Sequence, residues 1–261
     1  MAPTTAELEK SFADQHLSAQ VREFEYEGST FRYLYRKSLN KPVPLLCFVM
    51  GAPMSLNDFQ FTIRDSAIHT RYDVIVPERP GYGRDPRDTA MIDIAKQADF
   101  ITRLILSVKD SNQPVVLESH SYGGAIAAVV SYTLDTICKA HVMLAPVIDP
   151  DHEKIFFVSP LPIQFPLKYI IDKQMKTASH EKMNHAAELK KIASVFKQIH
   201  SPIYHYHGTK DMLAPSENIE FVTKAFDPKY LHQTIIPDEG HFMDNNMVRN
   251  KLIEIADSID R

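Results

Sequence analysis

The run Val115-Val116-Leu117-Glu118-Ser119-His120-Ser121-Tyr122-Gly123-Gly124-Ala125-Ile126-Ala127 starts as an apolar strand, breaks at a serine set among small residues, and continues as a helix. A tight strand-to-helix turn lifts a serine Oγ into the open and aims the amides at the start of the helix toward the group that the oxygen attacks. Ser121 is therefore the candidate nucleophile. The surrounding pattern is G-x-S-x-G with Ser119 in place of the first glycine. Serine is the smallest change there that adds a polar atom, and its hydroxyl can bond locally. The competing role for Ser121 is a helix N-cap. The paired glycines after it, and an acid and a base further along the chain, favour the nucleophile.

Around this junction, short apolar runs alternate with helical stretches: Leu45 to Val49, Asp73 to Val76, Pro114 to Glu118, His141 to Ala145, Ile203 to His207 and Leu231 to Ile236. Runs without polar alternation are strands buried on both faces, which predicts a mostly parallel central sheet with helices on both sides. Before Pro42 the pattern differs. Val21 to Glu27 and Thr30 to Lys37 flank Gly28-Ser29, the spacing of a tight hairpin, so the sheet opens antiparallel. In Ala90 to Val108, the residues Ile94, Ala98, Ile101, Ile105 and Val108 recur at three and four residue steps and form a helical apolar stripe. Leu189, Ile192, Ala193, Phe196 and Ile199 form another, ended before Pro202. Pro215 and Ser216 open a further helix, and Asn246 to Ile259 closes the chain with a last one.

Residues 151–180 break the rhythm. Ile155-Phe156-Phe157-Val158 is followed by Pro160, Pro162 and Pro166 among Leu161, Ile163, Phe165, Leu167, Tyr169 and Ile170, with no clean period. An apolar, proline-rich insertion in a long connection reads as a small lid or cap over a site. The chain of 261 residues, 44% apolar, suits one large core. The expectation is a single α/β domain over residues 1–261 with a cap insertion at about 151–180.

Composition narrows the function classes. The net charge is −4 and the basic residues are scattered, which argues against nucleic acid as a partner. Two cysteines, Cys47 and Cys138, read as packing residues in a reduced compartment. Met1 to Lys10 lacks a basic region followed by an apolar one, and no apolar run approaches a membrane span, so the expected location is cytoplasmic.

A serine nucleophile needs a base, and the base needs an orienting acid. Ile203-Tyr204-His205-Tyr206-His207-Gly208-Thr209-Lys210-Asp211 is a strand and glycine turn that delivers Asp211, and Thr234-Ile235-Ile236-Pro237-Asp238-Glu239-Gly240-His241 delivers His241 in the same way. In an open parallel sheet the carboxyl ends of the strands share one edge, so Ser121, Asp211 and His241 can converge there. Asp149 and Glu118 are rival acids, and neither follows a strand and glycine turn as Asp211 does. His120 in the elbow reads as packing. His205 and His207 alternate along one strand and face one side, but no third ligand motif accompanies them, so no metal is expected. Glu78 and Arg79 read as residues that shape a turn.

These pieces resemble the α/β-hydrolase superfamily, from about Val21 to the C-terminus. The likeness rests on the order Ser, Asp, His, on Phe48-Val49-Met50-Gly51-Ala52-Pro53, on Glu78-Arg79-Pro80-Gly81-Tyr82-Gly83, on the elbow, on His207-Gly208-Thr209-Lys210-Asp211, and on Gly240-His241. Two positions depart from the family pattern: Ser119 in the elbow, and Met50 where His-Gly is usual. The resemblance implies that His241 takes the Ser121 proton, that Asp211 holds the histidine tautomer, and that the backbone N–H groups of Ala52 and Tyr122 form the oxyanion hole. It implies an esterase-type hydrolase, a monomer or homodimer, acting on a small ester-like molecule without a cofactor. Acyl transfer, amide hydrolysis and carbon–carbon bond hydrolysis share the triad, and a receptor that retains it is a further alternative on the same fold.

Overall fold

The computed structural model describes residues 2–40, 42–59, 63–85, 87, 89–155 and 159–259. Among them one sheet contains β1 (Ala19–Tyr26), β2 (Ser29–Arg36), β3 (Leu45–Val49), β4 (Asp73–Pro77), β5 (Val115–His120), β6 (Cys138–Leu144), β7 (Ile203–Gly208) and β8 (Leu231–Ile236). Their order across the sheet is β1-β2-β4-β3-β5-β6-β7-β8. β1 pairs antiparallel with β2 and β2 with β4, whereas every pair from β4 through β3 to β8 is parallel. The strands expected from the sequence are present, with ends shifted by a few residues.

Alternate side chains of β3 enter different cores: Leu45, Cys47 and Val49 on one side, Leu46 and Phe48 on the other. That two-sided burial is why the run carries no polar alternation. On the first side lie α3 (Ile94–Val108), α4 (Gly123–Thr133), the end of α5 (Lys173–Ile192) and α6 (Glu217–Ala225). On the second lie α1 (Thr5–Asp14), the single turn α2 (Ser66–His69) and α7 (Asn245–Ile259). In α3 the side chain of Asp93 caps the Lys96 amide, and Ile94, Ile101, Leu104 and Ile105 are fully buried. Each such aliphatic side chain contributes about 1.5–3 kcal/mol by leaving water.

Two helices differ from the sequence expectation for identifiable reasons. α1 was not anticipated: only Leu8 and Phe12 are buried on it, although Thr4 and Glu7 form a complete capping box. α5 begins inside the segment that reads as aperiodic. Its buried face carries Thr177, Ser179, Glu181, His185 and Glu188 before reaching Leu189 and Ile192. The helical period exists there in polar residues, so an apolar pattern misses it. The stripe from Leu189 to Ile199 runs across the end of α5 into a 3-10 helix, Ala193–Gln198. Between β6 and α5 the chain makes two short 3-10 turns, Leu161–Ile163 and Leu167–Tyr169. Phe156, Phe157 and Val158 lie outside the described residues.

Candidate active site

β5 ends at His120, α4 begins at Gly123, and Ser121 between them has φ +55°. A side-chain-bearing residue rarely adopts that conformation, so the surroundings hold it there. The Ser121 amide donates to Leu144 O at 3.0 Å, and its carbonyl accepts from Gly124 N at 2.9 Å. A Cβ on Gly123 would come within 2.2 Å of Val49 O, so glycine lets α4 press against the end of β3.

The turn after β7 carries Asp211, and the loop after β8 carries His241. Asp211 Oδ2 accepts from His241 Nδ1 at 2.8 Å, while Oδ1 accepts from the Leu213 and Ala214 amides, both at 2.8 Å. Burial opposes ionisation of Asp211, but the bond to His241 and these amides hold its carboxyl below the usual range. With the proton on Nδ1, His241 Nε2 is the nitrogen able to take another. A Cβ on Gly208 would lie 2.3 Å from Glu239 O, so the close approach of these two loops requires glycine.

Ser121 and His241 line one cavity of about 420 Å³, together with Ala52 and Tyr122. Asp211 stands behind His241 and does not line it. Within the described residues, neither the Ala52 nor the Tyr122 amide donates a hydrogen bond. Met54, Val147, Leu213 and Phe242 give the cavity an apolar wall, and Pro162, Met175, Ser179, Lys182 and His185 enclose it from the segment between β6 and β7. Glu153 also lines it, paired with Lys182 and lying 3.1 Å from His185 Nδ1.

Among the described residues, none of the remaining candidates hydrogen-bonds the side chain of Ser121 or His241. Asp149 bonds His152 Nδ1 at 2.7 Å, and Glu118 is buried with Oε2 lacking a partner among the described residues, where burial pushes its carboxyl up to about 8. His120 Nε2 donates to His241 O at 2.9 Å and packs beside the His241 and Phe242 rings; burial pushes its imidazole down to about 4. His205 Nε2 lies 3.3 Å from His207 Nδ1, and their outer nitrogens bond Gln233 and Ala214 O, so hydrogen bonds occupy both rings. Among the described residues no group of three or more His, Cys, Asp or Glu could hold a metal ion.

Sequence reasoning missed how far Arg79 reaches. Its side chain is 1% exposed, bonds Gly51 O at 3.0 Å and forms a two-pronged pair with Glu181 at 2.6 and 3.2 Å. Glu78, by contrast, does shape its turn, through Arg32 and the Arg84 amide. The available signal for Arg79 was the polar period of α5, which brings Thr177 and Glu181 to one face.

Residues 51–246 match the model of the alpha/beta hydrolase family, and the chain belongs to that family. No curated protein matches it in sequence. Among solved structures it is similar to a membrane phospholipase A described as a bacterial virulence factor, with a TM-score of 0.69 at 16% identity, covering 98% of this chain and 93% of that one. It is also similar to a putative lipase from Acinetobacter baumannii AYE, with a TM-score of 0.68 at 15% identity over 99% of this chain and 98% of the other. A serine hydrolase involved in carbazole degradation gives 0.66 at 17% identity, over 92% and 100%. At these identities the likeness is one of fold. The protein is thus a member of a hydrolase family, and no helix among its described residues is long and apolar enough to cross a membrane.

Proposed function

We propose that this protein is a serine hydrolase that cleaves a carboxylic ester, or a thioester, of a small to medium acyl substrate through an acyl-enzyme on Ser121. The observation that carries this reading is the 2.8 Å bond from His241 Nδ1 to Asp211 at the wall of the cavity that Ser121 lines. It leaves Nε2 as the nitrogen able to act as base toward Ser121.

His241 Nε2 takes the Ser121 proton as Oγ attacks the acyl carbon, and returns it to the departing alcohol or thiol. The negative charge that develops on the carbonyl oxygen falls between the Ala52 and Tyr122 amides. The second of these sits at the N-terminus of α4, where the helix dipole also favours an anion. Asp211 balances the imidazolium without taking its proton. Water then repeats the cycle on the acyl-enzyme. The apolar wall of Met54, Val147, Leu213 and Phe242 suits an acyl chain, and the connection from β6 through the start of α5 acts as the cap. The cysteines Cys47 and Cys138 are buried and unpaired, which supports a cytoplasmic location.

A fluorophosphonate probe tests the nucleophile: wild type labels and Ser121→Ala does not. Turnover of p-nitrophenyl esters from short to long acyl chains then reports the pocket. Absence of labelling, or equal labelling of both proteins, rejects the assignment.

A further inference from the structure

Arg79 touches the backbone at the one point where it can orient the oxyanion loop. Its Nη2 donates to Gly51 O, and that carbonyl belongs to the same peptide unit as the Ala52 N–H. A trans peptide is a rigid plane with O and H on opposite edges, so a guanidinium holding the oxygen from behind fixes the direction of the amide hydrogen. Drawing on the carbonyl oxygen also polarises the peptide and strengthens the N–H as a donor. In the family pattern a histidine precedes this glycine. Here Met50 is buried in the second core and offers no such bond.

What holds Arg79 is the cap. Glu181 of α5 takes both guanidinium nitrogens and also accepts from Tyr82 OH and from Gln97 Nε2 at 3.1 Å. Gln97 Oε1 in turn receives Arg79 Nη1 at 2.5 Å, and Thr177, one turn before Glu181, bonds Gly81 O at 2.9 Å. Burial opposes the charge of Arg79, and Glu181, together with the neighbouring Tyr82 and Tyr122, more than offsets it, so the guanidinium stays charged. The fork geometry matters: a lysine supplies one point charge and cannot serve the Glu181 carboxylate and the Gly51 carbonyl together.

We infer that Arg79 is a positioning residue for the oxyanion hole and that Glu181 makes its placement conditional on the docking of α5, so that the cap helix and the catalytic loop form one unit. This rests on the serine-hydrolase reading above. It assigns α5 a part in rate as well as in enclosing substrate.

The test compares Arg79→Lys with the double variant Arg79→Met/Glu181→Leu. Replacing a buried ion pair by apolar residues preserves a fold that breaking it would not, so the double variant keeps the comparison interpretable if the single one unfolds. Thermal midpoints check folding. Steady-state ester kinetics and the affinity of a boronic acid, which forms a tetrahedral adduct with a reactive serine, provide the readouts. The expected result is a folded double variant whose kcat and boronate affinity fall together, on the order of 10- to 100-fold, with KM changed by less than about threefold. Folded variants with wild-type kcat and boronate affinity overturn the positioning role alone. A wild type that binds no boronate and hydrolyses no ester overturns the hydrolase reading and this inference together.

Discussion

The hydroxyl of Ser119 lies 2.7 Å from His141 Nε2, with both side chains buried where β5 and β6 run side by side. This serine stands where the family elbow has glycine, and its polar atom serves an imidazole on the neighbouring strand. Among the described residues His141 Nδ1 has no partner, so glycine at 119 would strip the ring of hydrogen bonds in a dry environment. An unsatisfied buried polar group costs about 1–3 kcal/mol. Ser119→Gly, although closer to the family pattern, is expected to lose stability by that amount in urea denaturation. Adding His141→Val should recover most of the loss. A single variant as stable as wild type would mean that the contact contributes nothing.

The three carboxylates that the sequence brings into competition separate by kinetics. Asp211→Asn keeps the shape of the loop but no longer holds the histidine in the right tautomer, and kcat is expected to fall by about 10³- to 10⁴-fold. Asp149→Asn and Glu118→Gln touch neither His241 nor Ser121 in the hydrogen-bond network and should leave kcat within about fivefold of wild type. Steady-state turnover of one ester by all three variants decides the matter. A large loss in Asp149→Asn with little in Asp211→Asn would reverse the assignment.

The strands were legible because runs such as Leu45 to Val49 are buried on two faces, and the order of Ser121, Asp211 and His241 was legible because each follows a strand. Neither inference needs knowledge of tertiary contacts. α5 was illegible because Thr177, Ser179, Glu181 and His185 bury polar groups in a satisfied network, which hydrophobic periodicity does not register. The pairing of Arg79 with Glu181 spans 102 positions and joins a turn to a polar helix, so it leaves no local pattern. Ser119 was readable as a tolerated exception to the elbow. Its partner was not, since His141 is one of twelve histidines in the chain.

Buried titratable groups set a pH profile of stability. Burial pushes His141 and His205 down to about 3 and His120 down to about 4, below the value of about 6.5 in an unfolded chain. The unfolded chain therefore binds more protons, and stability falls as pH drops from about 6.5 toward 3. Glu118 acts in the opposite direction: its folded-state value of about 8 lies above the unfolded one, so the stability it permits is lost as pH rises through about 8. Glu118→Gln removes that alkaline arm. Its urea midpoint should exceed that of wild type by a margin that grows between about pH 5 and pH 8. A constant margin would mean that Glu118 does not titrate in this range.

Gly123 opens α4, where intrinsic helix propensity favours alanine by about 1 kcal/mol. The packing argues the other way. A Cβ there would lie 2.2 Å from Val49 O and 2.7 Å from Met50 O, and backbone atoms cannot rotate aside as a side chain can. The end of β3 and the start of α4 would have to separate, and these carry the Ala52 and Tyr122 amides of the proposed oxyanion hole. Gly123→Ala is expected to lose about 1–3 kcal/mol, as overpacked sites do, and to reduce ester turnover. Gly240→Ala is the control, since a Cβ at Gly240 meets nothing within 4 Å. Its melting temperature should match wild type. If Gly123→Ala melts at or above the control, helix propensity outweighs the contact with β3, and the close approach of strand and helix is not what requires glycine at this position.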